Sequence, residues 1–296
     1  MTKAAWLRLA VALLALLLWP SRALAQGTPL QAVDWLAVLA AEPGVQASAD
    51  CPPAFGGRAP CLLVALGGDQ VAGYPLVDNV LYGDIDGDGL DEAVIPLFSG
   101  GTAGTIGFLV YHQAEPRPRL VASQSGYKLG LSIGGGQLIV DEPYYFSGDP
   151  NCCPTALVRR PYRLSGGALV GGAETWLEPS GESDRPLTVA EVVVRGFYNA
   201  LDRHALDDAY AFFTPRFQVA NPFPTWAAGY RDTESVTVDT RPGASPTEVA
   251  VTIQTTERGA PDALPPRRFA GTWRLVPSDT APLGLLLDQA SIAPQP

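Results

Sequence analysis

Three aspartates at alternate positions mark the stretch of this 296-residue chain that could do chemistry: Tyr82-Gly83-Asp84-Ile85-Asp86-Gly87-Asp88-Gly89-Leu90-Asp91-Glu92. Asp84, Asp86 and Asp88 occupy loop positions one, three and five, and Gly89 at position six permits the turn. Leu90, at position seven, offers its backbone carbonyl. Hard oxygens at this spacing converge on a divalent cation of calcium's size, because successive odd positions turn inward. Three carboxylates held together repel one another at neutral pH unless a cation sits among them. Ile95 stands where a helix-flanked calcium loop carries its bidentate glutamate, and the flanking residues read as strands. Calcium in a structural role is the expected cofactor.

Other motifs carry less. Ser99-Gly100-Gly101-Thr102-Ala103-Gly104-Thr105-Ile106-Gly107 is glycine-rich but lacks the Gly-Lys-Ser/Thr ending of a phosphate loop, so it reads as a strand connection. His112 and His204 are the only histidines, and neither has a nucleophile motif nearby. No catalytic residue is assigned, and a non-catalytic binding or scaffold protein of the cell exterior is expected.

The four cysteines, Cys51, Cys61, Cys152 and Cys153, are an even set suited to disulfides in an exported chain. Cys51 and Cys61 flank a Pro- and Gly-rich loop that a bridge would close, leaving Cys152 and Cys153 as a vicinal ring or reduced. A crossed pairing is the rival, and zinc is disfavoured because no C-x-x-C or neighbouring His is present.

The elements that must position these groups begin after residue 25. Lys3 and Arg8, the apolar run Leu9–Trp19 and Ala23-Leu24-Ala25 have the order of a cleavable signal peptide over residues 1–25, with Gln26 first in the mature chain. The mature protein is therefore expected to be secreted or extracytoplasmic, with no membrane span. The formal net charge is −10, and removal of the signal takes Lys3, Arg8 and Arg22 but no acid. So acidic a surface is a poor partner for nucleic acid. The expected partner is an unknown protein or small-molecule ligand at the cell exterior.

Residues 26–44 form an N-terminal helical segment, with Ala32, Trp35, Leu36 and Leu39 on one face of a helix over 29–42. Residues 45–176 read as a mostly antiparallel β domain built from short apolar runs: Leu62–Leu66, Asn79–Tyr82, Ala93–Phe98, Ile106–Tyr111, Arg119–Ala122, Gln137–Val140 and Ala156–Arg159. A hairpin over Tyr162–Val170 turns at Ser165-Gly166-Gly167. Residues 177–186 are polar and turn-rich, as a linker would be. Thr188-Val189-Ala190-Glu191 is then a capping box. It opens a helix with an apolar stripe over Val189, Val193, Phe197 and Leu201. Short helices are expected at 205–213, stopped by Pro215, and at 223–229. Four strands follow at 234–240, 247–257, 267–277 and 284–293. The fold class is mixed: a mostly antiparallel β domain followed by an α+β unit over 187–296.

Three resemblances attach to these residues. The acidic loop resembles the calcium loop of FG-GAP and integrin-type β repeats, which implies that Glu92, at position nine, supplies the last carboxylate. "VVRGFYNALDRHALDDAYAFF", "WAAGYRD" and "FAGTWRLV" resemble the nuclear-transport-factor-like superfamily, with its SnoaL-like and ketosteroid-isomerase-like members. That likeness implies a curved sheet round a long helix, enclosing a conical pocket. Tyr198, Tyr210, Trp226, Tyr230 and Trp273 are the candidate pocket residues, with Asp232 as the nearby acid. The likeness leaves a small-molecule-binding or isomerase/cyclase-like role as the alternative function, and an open aromatic pocket containing an unpaired acid would favour the enzyme. Plugging by Phe197, Phe213 or Trp273 would favour an accessory module. Gly148-Asp149-Pro150-Asn151-Cys152-Cys153-Pro154-Thr155 resembles text of LppP/LprE-type lipoproteins, which implies an envelope protein.

Overall fold

The computed structural model describes residues 29–48, 51–52, 61–66, 71–179, 185–259 and 266–296. The expected signal peptide over residues 1–25 lies outside them. Among the described residues, no helix is long and apolar enough to cross a membrane.

The helix expected over 29–42 is shorter and broken. Leu30–Ala32 forms a single 3-10 turn, and α1 (Trp35–Ala40) starts afresh after Asp34, whose side chain caps Ala37 N–H. An N-capping Asp inside the apolar stripe resets the helix start. Leu30, Trp35 and Leu39 still bury, packing on the first sheet.

That sheet contains β1 (Val45–Ser48), β2 (Cys61–Leu66), β3 (Val71–Pro75), β4 (Leu81–Gly83), β5 (Glu92–Phe98), β6 (Thr105–His112) and β7 (Arg119–Ser125). Residues of β5 are buried on both faces, which explains its unbroken apolar text. Ala93, Ile95 and Leu97 face α1, whereas Val94 faces the second sheet. Pro96 is tolerated in so central a strand because its neighbour changes there. Tyr74-Pro75 of β3 pairs with Phe98-Leu97, and Leu81–Gly83 of β4 pairs with Val94–Glu92.

The second sheet holds β8 (Gly130–Gly134), β9 (Gln137–Tyr144), β10 (Ala156–Ser165), β11 (Ala168–Gly171), β12 (Thr175–Leu177) and β13 (Pro186–Leu187). Ile85, Val94, Phe108, Val110, Leu138 and Tyr162 fill the layer between the two sheets. The expected hairpin is present, with Gly166 and Gly167 at φ 59° and 81° supplying the turn.

Thr188 and Glu191 make the reciprocal capping box that starts α2 (Val189–Asp202). α3 (Leu206–Tyr210), α4 (Pro215–Ala220) and α5 (Phe223–Ala228) follow. Pro215 does not merely stop a helix, as expected from sequence; it occupies the first turn of α4 behind the N-cap Thr214. The third sheet is an antiparallel meander of β14 (Thr233–Pro242), β15 (Glu248–Glu257), β16 (Arg267–Pro277) and β17 (Leu285–Pro294). The chain is thus mostly antiparallel β, with a mixed α+β region at its C-terminal end.

The stretch expected as a linker is tied at its described ends. β13 pairs with β12, and Leu187 is buried. Arg185 binds Glu178 at 3.0 Å and Glu191 at 2.9 Å, while Arg195 binds Glu178 at 2.9 Å. Phe146 and Ala156, from the β-rich part, share one core with α2 and the third sheet.

The disulfides are Cys51–Cys61, with Cα atoms 5.7 Å apart, and the vicinal Cys152–Cys153. The second tips an exposed loop held by Asp149. That buried carboxylate accepts from Phe146 N–H, the Thr155 hydroxyl and Arg203.

Candidate functional site

The acidic loop joins β4 to β5 and is pinned from below. Ile85 is buried between the two sheets, and its carbonyl accepts from Leu164 N–H at 3.0 Å. With Ile85 inward, its neighbours Asp84 and Asp86 are turned toward the surface.

Each aspartate then folds the backbone round itself. Asp84 accepts from Gly87 N–H at 2.6 Å and Gly89 N–H at 3.0 Å. Asp86 accepts from Asp88 N–H at 3.0 Å, and Asp88 from Leu90 N–H at 2.8 Å. Gly87 and Gly89 sit at φ 84° and 87°, a left-handed conformation that glycine adopts without strain. Carboxylate oxygens of Asp84, Asp86 and Asp88 lie within 4.8 Å of one another. This is an all-oxygen set suited to a hard cation.

Glu92 behaves differently from the other expected ligands. It is fully buried, and its Oε2 accepts from Ile85 N–H at 2.9 Å while Oε1 lies 2.9 Å from His112 Nδ1. His112 Nδ1 also lies 3.7 Å from Asp86 Oδ2. Asp86, Glu92 and His112 therefore form a second group, which meets the aspartate group at Asp86. Burial raises the Glu92 pKa above the ordinary carboxylate value, and Asp86 adds to that rise; the His112 and Ile85 hydrogen bonds oppose it. Glu92 thus ties the loop to the sheet from beneath. His112 was missed as a site residue from sequence. Its signal was the β5–β6 register, in which Ala93 faces Tyr111 and places Glu92 opposite His112.

The second locus is a cavity of about 580 Å³ in the α+β unit, within the size range of small-ligand pockets. Tyr198, Trp226, Tyr230 and Trp273 line it as expected, and so does Asp232. Tyr210 does not. Its hydroxyl donates to the carbonyls of Gln218, at 3.1 Å, and Asn221, at 2.8 Å, so it braces α4 instead. No family model, curated protein or solved structure matches this chain.

The cavity is open where plugging was the alternative. Phe197 lies in the core behind the floor, with its ring centroid 5.6 Å from that of Trp273. Phe213 and Trp273 form the wall and floor without filling the space. Trp273 Nε1 donates to the Tyr198 hydroxyl at 3.0 Å, which satisfies the indole of a buried pair. Burial pushes the Tyr198 hydroxyl pKa up, so it stays neutral. Tyr230 shifts the same way, chiefly through burial, against a hydrogen bond with Trp226.

Among the described residues lining the cavity, charge is confined to the mouth. Arg267 binds Glu257 at 2.5 Å and stacks over Phe269, 5.3 Å from the ring centroid. Both charged groups are exposed. Asp232 is exposed too, and among the described residues its carboxylate has no hydrogen bond or ion pair.

Proposed function

We propose that the chain is an extracytoplasmic, non-catalytic binding protein that takes a small molecule into the cavity of its α+β unit. The observation that carries this reading is the cavity floor. There the Tyr198 hydroxyl accepts from the Trp273 indole, and a hollow lined in good part by aromatic rings opens above the pair. A concave hollow of this size, where aromatic faces meet a few placed polar groups, is the physical signature of a small-molecule site. Catalysis is less well supported, because among the described residues the acids of the cavity stand at its wet mouth and no histidine or cysteine lines it. A general base works best where burial tunes its pKa.

The same hollow supports kinship with the nuclear-transport-factor-like superfamily, and the order of residues 1–25 supports export. Calcium is the cation we assign to the acidic loop, held by Asp84, Asp86 and Asp88 with the Leu90 carbonyl, while Glu92 supports the loop from the sheet. Its role there is to neutralise clustered carboxylates and so stiffen a connection between strands.

The cavity reading is tested with N-phenyl-1-naphthylamine, a neutral dye that fluoresces in apolar surroundings. Wild-type protein should enhance its emission saturably. Thr255→Trp, which places an indole in the hollow, should abolish the enhancement while its melting temperature stays close to wild type. Equal enhancement by both proteins, or none by wild type, defeats the reading.

A further inference from the structure

We infer that the ligand of the cavity is a singly charged organic ammonium, held by ring faces and steered by Asp232. This inference rests on the cavity being a small-molecule site.

Four observations point the same way. Rings make up much of the lining, Tyr198, Phe213, Phe217, Trp226, Tyr230 and Trp273 among them, and tryptophan is the ring that attracts cations most strongly. Next, these rings do not form a flat slot. Trp226 and Tyr230 lie 5.0 Å apart at 54°, and Phe213 meets Trp226 at 5.4 Å and 81°. A flat neutral molecule can stack on one such face at a time, whereas a compact ammonium head is attracted by several at once.

The charge balance of the mouth is the third observation. Among the described residues that line it, Asp232 and Glu257 stand against one arginine, Arg267. Arg267 is committed both to Glu257 and to the Phe269 ring, so Asp232 is the acid left over. An anionic ligand would have to take Arg267 from Glu257, and a neutral one would gain from Asp232 a hydrogen bond at most, without the attraction of opposite charge. The chain's net charge of −10 also favours approach by cations.

Finally, the mouth already shows how it treats a cation. Arg267 rests between a ring, Phe269, and a carboxylate, Glu257. Tyr230 and Asp232, two residues apart on the same cavity wall, present the same pair of partner types to an incoming ligand.

The test is competition against N-phenyl-1-naphthylamine in the full chain. The competitors are benzyltrimethylammonium, its uncharged carbon isostere neopentylbenzene, and benzenesulfonate. Benzyltrimethylammonium should displace the dye at about tenfold lower concentration than neopentylbenzene, a gap of the size ring faces give a partly desolvated cation. That gap should shrink in Asp232→Asn, an exposed substitution that leaves the fold alone, and also at high salt. Displacement by neopentylbenzene or benzenesulfonate at equal or lower concentration than the ammonium overturns the inference while leaving the cavity a binding site. Failure of wild-type protein to bind the dye at all removes both.

Discussion

The ring of Phe146 lies against Gly196, where any other residue on α2 would place its Cβ. A Cβ built at Gly196 meets Phe146 Cδ2 and Cε2 at 2.4 Å. This contact joins the loop after β9 to the middle of the long helix, and it explains a glycine where helix propensity disfavours one. Gly196→Ala should therefore destabilise the protein by about 1–3 kcal/mol through overpacking, although alanine is the better helix former. In a Phe146→Leu background the penalty should shrink, because the smaller side chain yields. Urea unfolding of the two single variants and the double variant measures that coupling. Additive effects would show that the two residues do not meet.

Acid should loosen the junction at Arg185. Burial raises the Glu178 pKa, but Arg185 and Arg195 together outweigh it and hold the carboxyl below its ordinary value of 4.5. A lowered folded-state pKa gives stability that is complete above the unfolded value and is lost as pH falls through the folded one. At pH 7, Glu178→Gln should cost about 2 kcal/mol, the worth of hydrogen bonds to a charged group. Below about pH 4.5 wild type and variant should converge. A difference that stays constant from pH 7 to pH 3 would mean that the carboxylate charge contributes nothing.

The acidic loop should respond to calcium. Sites of this kind in extracellular modules have dissociation constants of about 10⁻⁴–10⁻³ M. Calcium about 100-fold above that constant adds roughly 2.7 kcal/mol. Differential scanning calorimetry should show a rise of about 5–10 °C, reversed by chelator and only weakly reproduced by magnesium. Asp86→Asn, which keeps an oxygen for Asp88 N–H but removes the charge both groups share, should abolish the rise. An identical wild-type melt in calcium and in chelator would reduce the loop to an acidic turn.

What sequence could convey differed by region, for physical reasons. The long strands of the third sheet were placed to within about two residues, because alternation along Val249, Val251 and Ile253 is a purely local signal. The capping box before α2 was equally local. β8, with glycine at both ends, and the two-residue β13 carry no pattern of their own; partners define them. The inward turn of Glu92 depends on β6 bringing His112 beneath the loop, a fact of register rather than composition. Tyr210 looked like its aromatic neighbours in text, but two carbonyls of the following helix capture its hydroxyl. The packing of Phe146 on Gly196 joins residues fifty positions apart, and no window of sequence reveals it.

The pairing order of the strands bears on how the chain reaches this state. β5, β6 and β7 pair in succession, as do β8, β9 and β10, and again β14 through β17. A strand thus meets its partner after a short excursion of chain, and the entropy of closing each loop stays small. For a protein so rich in β structure this is a local topology, of the kind associated with quick folding. The longest closures are those between distant parts, in which α2 meets both the third sheet and Phe146. A chain arriving in the order of its sequence could complete its first two sheets while α2 was still unmade, leaving the hollow beside Trp273 as the last part to take shape.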